Sequence, residues 1–325
     1  MTALIFGGCC ANVRPLITLI QFVTVTLFTI PSFISFSAGP PSVFVVPRAI
    51  PLRSWVIYTA FFVTVNLLNN WAFAYRISVP LHIILRSAGP VASMIVGYVY
   101  NAKRYSAGQI FAVILLTLGV SGAALADAEA KGKVQSTGGE SSLADFLVGF
   151  LILVLAMILS AFQGVYADRL YETYGRNHWR EALLYSHMLS LPVFLPTYPQ
   201  ISSQLRALVA SPPVQSLVGP SASSIFPNDQ SITTSMPVKV AYLVLNAVTQ
   251  YVCIRGVHLL SAKSSSLTVT IVLNIRKLVS LLLSIYLFGN RLATGVMAGA
   301  ALVFAGAGLY GFEGARLRGN QKKRA

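Results

Sequence analysis

Arg276 and Lys277 stand side by side in the middle of an apolar run, residues 266–287, that is long enough to cross a bilayer. A charged side chain near the bilayer centre costs roughly 2.5–3.5 kcal/mol on insertion scales, so such groups are read by default as working residues facing a protein interior or a watery cavity. A third cation of this kind, Arg86, lies in the apolar run 79–100, with His82 four residues before it on the same helical face. All nine carboxylates of the chain lie outside the apolar runs or at their ends. The chemistry these cations offer is therefore the holding of an anion that comes and goes. Arginine brings a planar fork suited to a diphosphate, and lysine a compact point charge. Two plainer readings stay open: a structural pair at Arg276 and Lys277 bonded to carbonyls of a neighbouring helix, and a membrane-interface cation at Arg86.

Other polar groups share these runs. Thr270, Asn274 and Lys277 follow one another at spacings of 4 and 3, one helical stripe that Ser266 and Ser280 extend. Asn69 and Asn70 in VNLLNNWAF, and Asn246 and Gln250 at i and i+4 in LNAVTQYVCIRG, could bond between helices or read a polar ligand; for Asn66 interhelical bonding is expected. Tyr185, Ser186 and His187 combine a stacking ring with hydrogen-bonding neighbours, as a pocket for a base requires, although a histidine satisfied in the core fits the same residues. Catalytic arrangements are missing: no paired carboxylates within a span, no G-x-S-x-G, no H-E-x-x-H and no P-loop. Asp168 and Glu172, among Arg169, Arg176 and Arg180, are expected as a solvated, salt-bridged helix end. Cys9, Cys10 and Cys253 form no ligand cluster and are expected as small core residues. The chain is thus expected to be no enzyme and to need no cofactor or metal.

The elements that must position these residues follow from composition. The 325 residues are 55% hydrophobic and only 10% charged, with mean hydropathy +0.69. That is an all-α integral membrane protein, and the net charge of +15 sits mostly in short loops and the tail, which argues for positive-inside bias and against nucleic acid. Apolar runs predict spans near 16–36, 54–75, 79–100, 107–126, 146–167, 182–200, 238–260, 265–288 and 292–312, preceded by 2–13, which is short or incomplete as a first helix. Arg14 follows that first run instead of preceding it, the reverse of a signal peptide. With about ten spans both termini share one side, and that side collects fourteen Lys and Arg against six on the other, so both are predicted cytosolic. The loops 127–145 and 202–236 then face the lumen or exterior as flexible connectors.

Two stretches share a plan. A span with Arg86 leads through Lys103-Arg104-Tyr105-Ser106 to LTLGVSGAALA, and a span with Arg276-Lys277 leads through Gly289-Asn290-Arg291 to AGAALVFAGAGLYG. Five spans per half make the halves opposite in orientation, a 5+5 inverted repeat with its site near the midplane. The expected divisions are a first half 1–126, a lumenal linker 127–145, a second half 146–313 and a basic cytosolic tail 314–325. The small residues of the Gly/Ala-rich spans are expected to serve close helix packing.

The stretches LNNWAFAYRISVPLHIILRSAGPVASMIVGYVYNAKRYS, EALLYSHMLSLP, NAVTQYVCIRGV and SSLTVTIVLNIRKLVSLLLSIYLF strongly resemble the nucleotide-sugar transporters of the drug/metabolite transporter superfamily. Within it they are similar to the branch for UDP-N-acetylglucosamine and UDP-xylose. The resemblance runs from residue 6 to 312, and the segment ending in R-K-x-x-S-L is quite specific. It implies a ten-helix inverted-repeat antiporter that exchanges cytosolic UDP-N-acetylglucosamine for UMP from the ER or Golgi lumen by alternating access. It implies, too, that Asn274, Arg276 and Lys277 hold phosphates and sugar while Tyr185-Ser186-His187 lies near the base. The alternatives are UDP-xylose or another organic phosphate as cargo, or a membrane-embedded transferase. The chain departs from the family at its start: FGGCCANV matches the end of the first helix, and Arg14-Pro15 then runs straight into LITLIQFVTV, so part of the first hairpin is expected to be absent. At the other end Lys322-Lys323-Arg324-Ala325 resembles the dilysine retrieval signal read by coat proteins on a cytosolic terminus. The expected home is the ER membrane with cycling through the Golgi, and the expected partners are UDP-sugar, UMP, the lipid bilayer and a second copy as homodimer.

Overall fold

The computed structural model describes residues 14–36, 43–45, 47–75, 82, 85–130, 143–211, 237–287 and 294–322. The expected first segment, 2–13, and the turn at Arg291 lie outside these. The described helices are α1 (Arg14–Thr29), α2 (Leu52–Trp71), α3 (Gly89–Asn101), α4 (Ala107–Ala130), α5 (Leu143–Tyr174), α6 (Trp179–Met188), α7 (Tyr198–Val209), α8 (Val238–Lys263), α9 (Ser266–Leu287) and α10 (Thr294–Lys322). A short antiparallel pair, β1 (Ile34–Phe36) with β2 (Val43–Val45), joins Ile34 to Val45 in register. Among the described residues this is an all-α multi-pass architecture apart from that pair.

Among the described residues six helices are long and apolar enough to cross a bilayer, in α1, α4, α5, α8, α9 and α10. The expected span 54–75 forms α2, but Asn66, Asn69 and Asn70 lower its hydropathy. Of the expected span 79–100 the helix α3 has 13 residues. The expected span 182–200 is broken: α6 stops at Met188, Leu191–Thr197 is a 3-10 segment holding Pro192 and Pro196, and α7 follows. Proline cannot donate to an α-helical ladder, which accounts for the interruption. The expected connector 202–236 is corrected in its first part, because α7 runs through it to Val209. The tail expected from 314 begins as helix, with α10 continuing to Lys322.

The chain folds into two compact units of interleaved segments, with boundaries inside α2 and α8. In the first, comprising 1–59 and 177–259, Leu16 and Ile17 of α1 pack with Ile201 and Leu208 of α7 and Leu243 of α8. Glu181 of α6 is buried there and accepts the Ala49 N–H at 2.8 Å, the Ile50 N–H at 3.2 Å and the Trp55 indole N–H at 3.2 Å. One carboxylate thus satisfies donors ahead of and within the first turn of α2.

In the second unit, comprising 60–176 and 260–325, Met94, Val113, Leu116, Ile271, Leu278 and Val303 centre the core. α4 and α10 approach at Gly119 and Gly299, where a Cβ on Gly299 would lie 2.6 Å from the Gly119 carbonyl oxygen. Glycine is required at this crossing because the opposing surface is backbone and cannot give way. Asp168 and Glu172 are not an equally solvated pair: Asp168 is only 1% exposed, and its Oδ2 accepts the Lys103 ammonium at 3.3 Å and the Ser266 N–H at 3.0 Å. The buried carboxylate caps α9. Glu172 keeps the expected exposed role beside Arg176, at 3.9 Å.

Candidate functional site

α9 starts from a capped end. The Asp168 carboxylate meets the Ser266 N–H, and the Ser265 hydroxyl lies 3.0 Å from that of Thr268. From this anchor the helical repeat carries Thr270, Asn274 and Lys277 along one face, as their spacing requires. Residues 86 and 87, just before α3, meet that face. Pro90 stands in the first turn of α3 and has no N–H, so the Arg86 carbonyl lacks its usual donor four residues on. Lys277 Nζ takes that place, donating to the Arg86 carbonyl at 3.2 Å and to Asn274 Oδ1 at 2.8 Å. The Asn274 amide nitrogen donates in turn to the Ser87 carbonyl at 2.8 Å. The Ser87 and Ser121 hydroxyls, 3.0 Å apart, extend the network to α4.

Arg86, Arg276 and Lys277 consequently act on one another electrostatically. Arg86 and Arg276 are exposed and Lys277 is half-buried, while Asn274 beneath them is 2% exposed. Three cations thus gather beside the Asn274 network and repel one another, and two guanidinium forks beside an ammonium suit a diphosphate. The structural reading of Lys277 is also met, since it does bond a neighbouring carbonyl. His82 is buried. Thr270 turns its hydroxyl back to the Leu267 carbonyl at 2.8 Å, and Ser280 is exposed. Asn69 donates to the Val65 carbonyl at 2.7 Å and Asn70 is exposed. Asn66 is corrected: its amide donates to the Phe62 carbonyl of its own helix at 2.7 Å instead of bridging helices.

The remaining candidates belong to the first unit. Tyr185 lies parallel to Trp55, with ring centroids 6.3 Å apart. Ser186 and His187 are in the packed interior, at 0% and 1% exposure. Ser186 donates to the Leu183 carbonyl at 3.3 Å, and His187 Nδ1 lies 2.8 Å from the same oxygen. The His187 ring meets Phe22 edge-on at 4.9 Å and His258 at 6.1 Å. Asn246 accepts the Gln21 amide at 2.7 Å, joining α8 to α1, and Gln250 is half-buried. Ser87, Gln21, Trp55 and His258 went unmarked in the sequence. Gln21 was findable as a lone amide in an apolar span, whereas Ser87 acts through its backbone carbonyl, which no residue type announces. Among the described residues no cluster of His, Cys, Asp or Glu could hold a metal.

Residues 1–313 match the UAA transporter family. The UDP-N-acetylglucosamine transporter yea4 of Schizosaccharomyces pombe is 39% identical over 94% of this chain and 92% of its own length. The UDP-xylose and UDP-N-acetylglucosamine transporter of Danio rerio is 34% identical over 94% of this chain and 91% of its own. A protein crystal structure with 10% identity superposes on 91% of this chain and 87% of its own with a TM-score of 0.56, a likeness of fold alone.

Proposed function

This chain belongs to the UAA transporter family, a nucleotide-sugar transporter and not an enzyme, and we propose that it carries UDP-N-acetylglucosamine from the cytosol into the ER or Golgi lumen in exchange for UMP. The observation that carries this reading is the cluster of Arg86, Arg276 and Lys277 over Asn274. It offers a diphosphate fixed positive charge at a depth where charge is otherwise excluded. The names of the Schizosaccharomyces pombe and Danio rerio relatives support the UDP-sugar as cargo. Arg86, Arg276 and Lys277 hold the phosphates, with Asn274 keeping Lys277 in place from beneath and the exposed Ser280 one turn further along the helix. The halves 1–126 and 146–313 form a ten-helix inverted repeat that exposes this site alternately to either side.

UDP-xylose is the second reading, because the Danio rerio relative is named for both sugars and the same cations would hold either. Both termini are cytosolic in this scheme, which puts Lys322 and Lys323 where a retrieval signal is read. Purified protein in liposomes preloaded with UMP tests the proposal: labelled UDP-N-acetylglucosamine should accumulate inside, and liposomes without UMP should take up far less. Absence of uptake of any UDP-sugar would refute it. Competition by UDP-, GDP- and CMP-sugars orders the cargoes, and recovery of intact sugar nucleotide separates transport from transfer.

A further inference from the structure

A groove of about 560 Å³ lies between α3 and α4 in the second unit, and none of the residues assigned above to the cargo lines it. Its walls are apolar, with Met94 and Ile95 from α3 and Val113 and Ile114 from α4. Tyr98, Arg104 and Tyr105 close one end. That end is where α3 stops at Asn101 and α4 starts at Ala107, so the polar groups sit at the edge of the spans. The apolar part reaches about 10 Å inward from there, the length of the seven residues from Tyr98 to Val91.

The outer side of the groove is open: Ile95 is 58% exposed, Tyr98 64% and Ile114 47%. Along a membrane-crossing helix the medium on that side is lipid. Of the two adjacent cations in the turn, Lys103 is engaged by Asp168 at 3.3 Å. Arg104 is exposed and has no hydrogen-bond or ion-pair partner among the described residues. Tyr105 keeps its proton: burial first, then Tyr310 and Asp168, pushes its pKa up to about 12. The end of the groove thus supplies a charged fork and phenol groups, while the remainder supplies hydrocarbon.

We propose that this groove binds an anionic glycerophospholipid, with the phosphate on Arg104 and one acyl chain between α3 and α4. Charge complementarity at the end and an apolar depth behind it select a molecule that has both parts. A basic pocket between spans is a recurrent way of holding such headgroups.

Full-length protein washed free of lipid in detergent is titrated with phosphatidylinositol, phosphatidylcholine or glycerophosphoinositol, and adducts are measured by native mass spectrometry. Phosphatidylinositol should be retained at about fivefold lower concentration than phosphatidylcholine, the effect of one basic side chain. Glycerophosphoinositol, which lacks acyl chains, should not be retained. Arg104→Gln should erase the headgroup preference, Ile114→Trp should reduce retention of both lipids by filling the groove, and Lys263→Gln, a change at an exposed cation elsewhere, should alter neither. Equal retention of the two lipids overturns the proposal, as does an unchanged preference in Arg104→Gln or loss of it in Lys263→Gln.

Discussion

Lys277 is held by Asn274: the ammonium lies 2.8 Å from the amide oxygen, and the amide nitrogen of the same side chain donates to the Ser87 carbonyl at 2.8 Å. One buried amide therefore orients the cation and fastens α9 to the residues before α3. The spacing of Asn274 and Lys277 made their shared face legible, but the second half of the relationship runs through backbone carbonyls.

Asn274→Asp set against Asn274→Ala separates charge from structure. The aspartate keeps its size and places a carboxylate beside Lys277, so the site acquires an internal anion that competes with the cargo. Transport should fall at least tenfold, with KM raised, and the melting temperature should fall as well, because a carboxylate cannot donate to the Ser87 carbonyl. Asn274→Ala leaves the Ser87 carbonyl without its donor in the same way and should lower stability by about 1–3 kcal/mol, but it adds no anion, so its KM should rise less than that of Asn274→Asp. Transport by Asn274→Asp at the wild-type rate would remove Lys277 from the phosphate site.

The phosphate assignment predicts a hierarchy among cations. Arg276→Ala with Lys277→Ala should lower transport by at least a hundredfold, because two charge-assisted contacts are removed at once. Lys322→Ala with Lys323→Ala should leave the liposome rate unchanged and move the protein out of the ER, as imaging in cells would show. A double Arg276/Lys277 variant that still transports would refute the assignment, and an unmoved tail variant would refute the retrieval signal.

The crossing of α4 and α10 predicts sharply position-dependent glycine substitutions. A methyl group on Gly299 meets the Gly119 carbonyl at 2.6 Å and the Ala123 N–H nitrogen at 2.7 Å. Gly299→Ala should force the helices apart and cost about 1–3 kcal/mol. Gly311→Ala, with nothing within 4 Å, should be neutral or slightly stabilising because alanine favours helix. Thermal melts in one detergent compare the two.

The Gly/Ala-rich runs LTLGVSGAALA and AGAALVFAGAGLYG disclosed this packing in the sequence, since small residues in spans have few other uses. Hydropathy likewise placed α1, α4, α5, α8, α9 and α10. It could not show the break between α6 and α7, because Leu191–Thr197 is as apolar as a span and only its prolines betray it. Nor could it separate Asp168 from Glu172. Both follow an apolar run among arginines, and burial of the first depends on α9 arriving above it, a tertiary event with no local signature.

That burial makes the last prediction. Asp168 Oδ2 accepts both the Lys103 ammonium and the Ser266 N–H, so Asp168→Ala removes an ion pair and a helix cap together, whereas Lys103→Met removes the pair alone. Lys103 is about one-third exposed, and solvent screens its share, so Lys103→Met should cost about 1–2 kcal/mol, between the values for exposed and buried pairs. Asp168→Ala should cost more, by about the further 1 kcal/mol of a lost cap. The double variant should be less destabilised than the two single losses added together, because the pair is counted in each. Thermal or denaturant melts of the four proteins measure this coupling. A coupling of zero, with Asp168→Ala still destabilised, would assign Asp168 to capping α9 and leave Lys103 as a bystander.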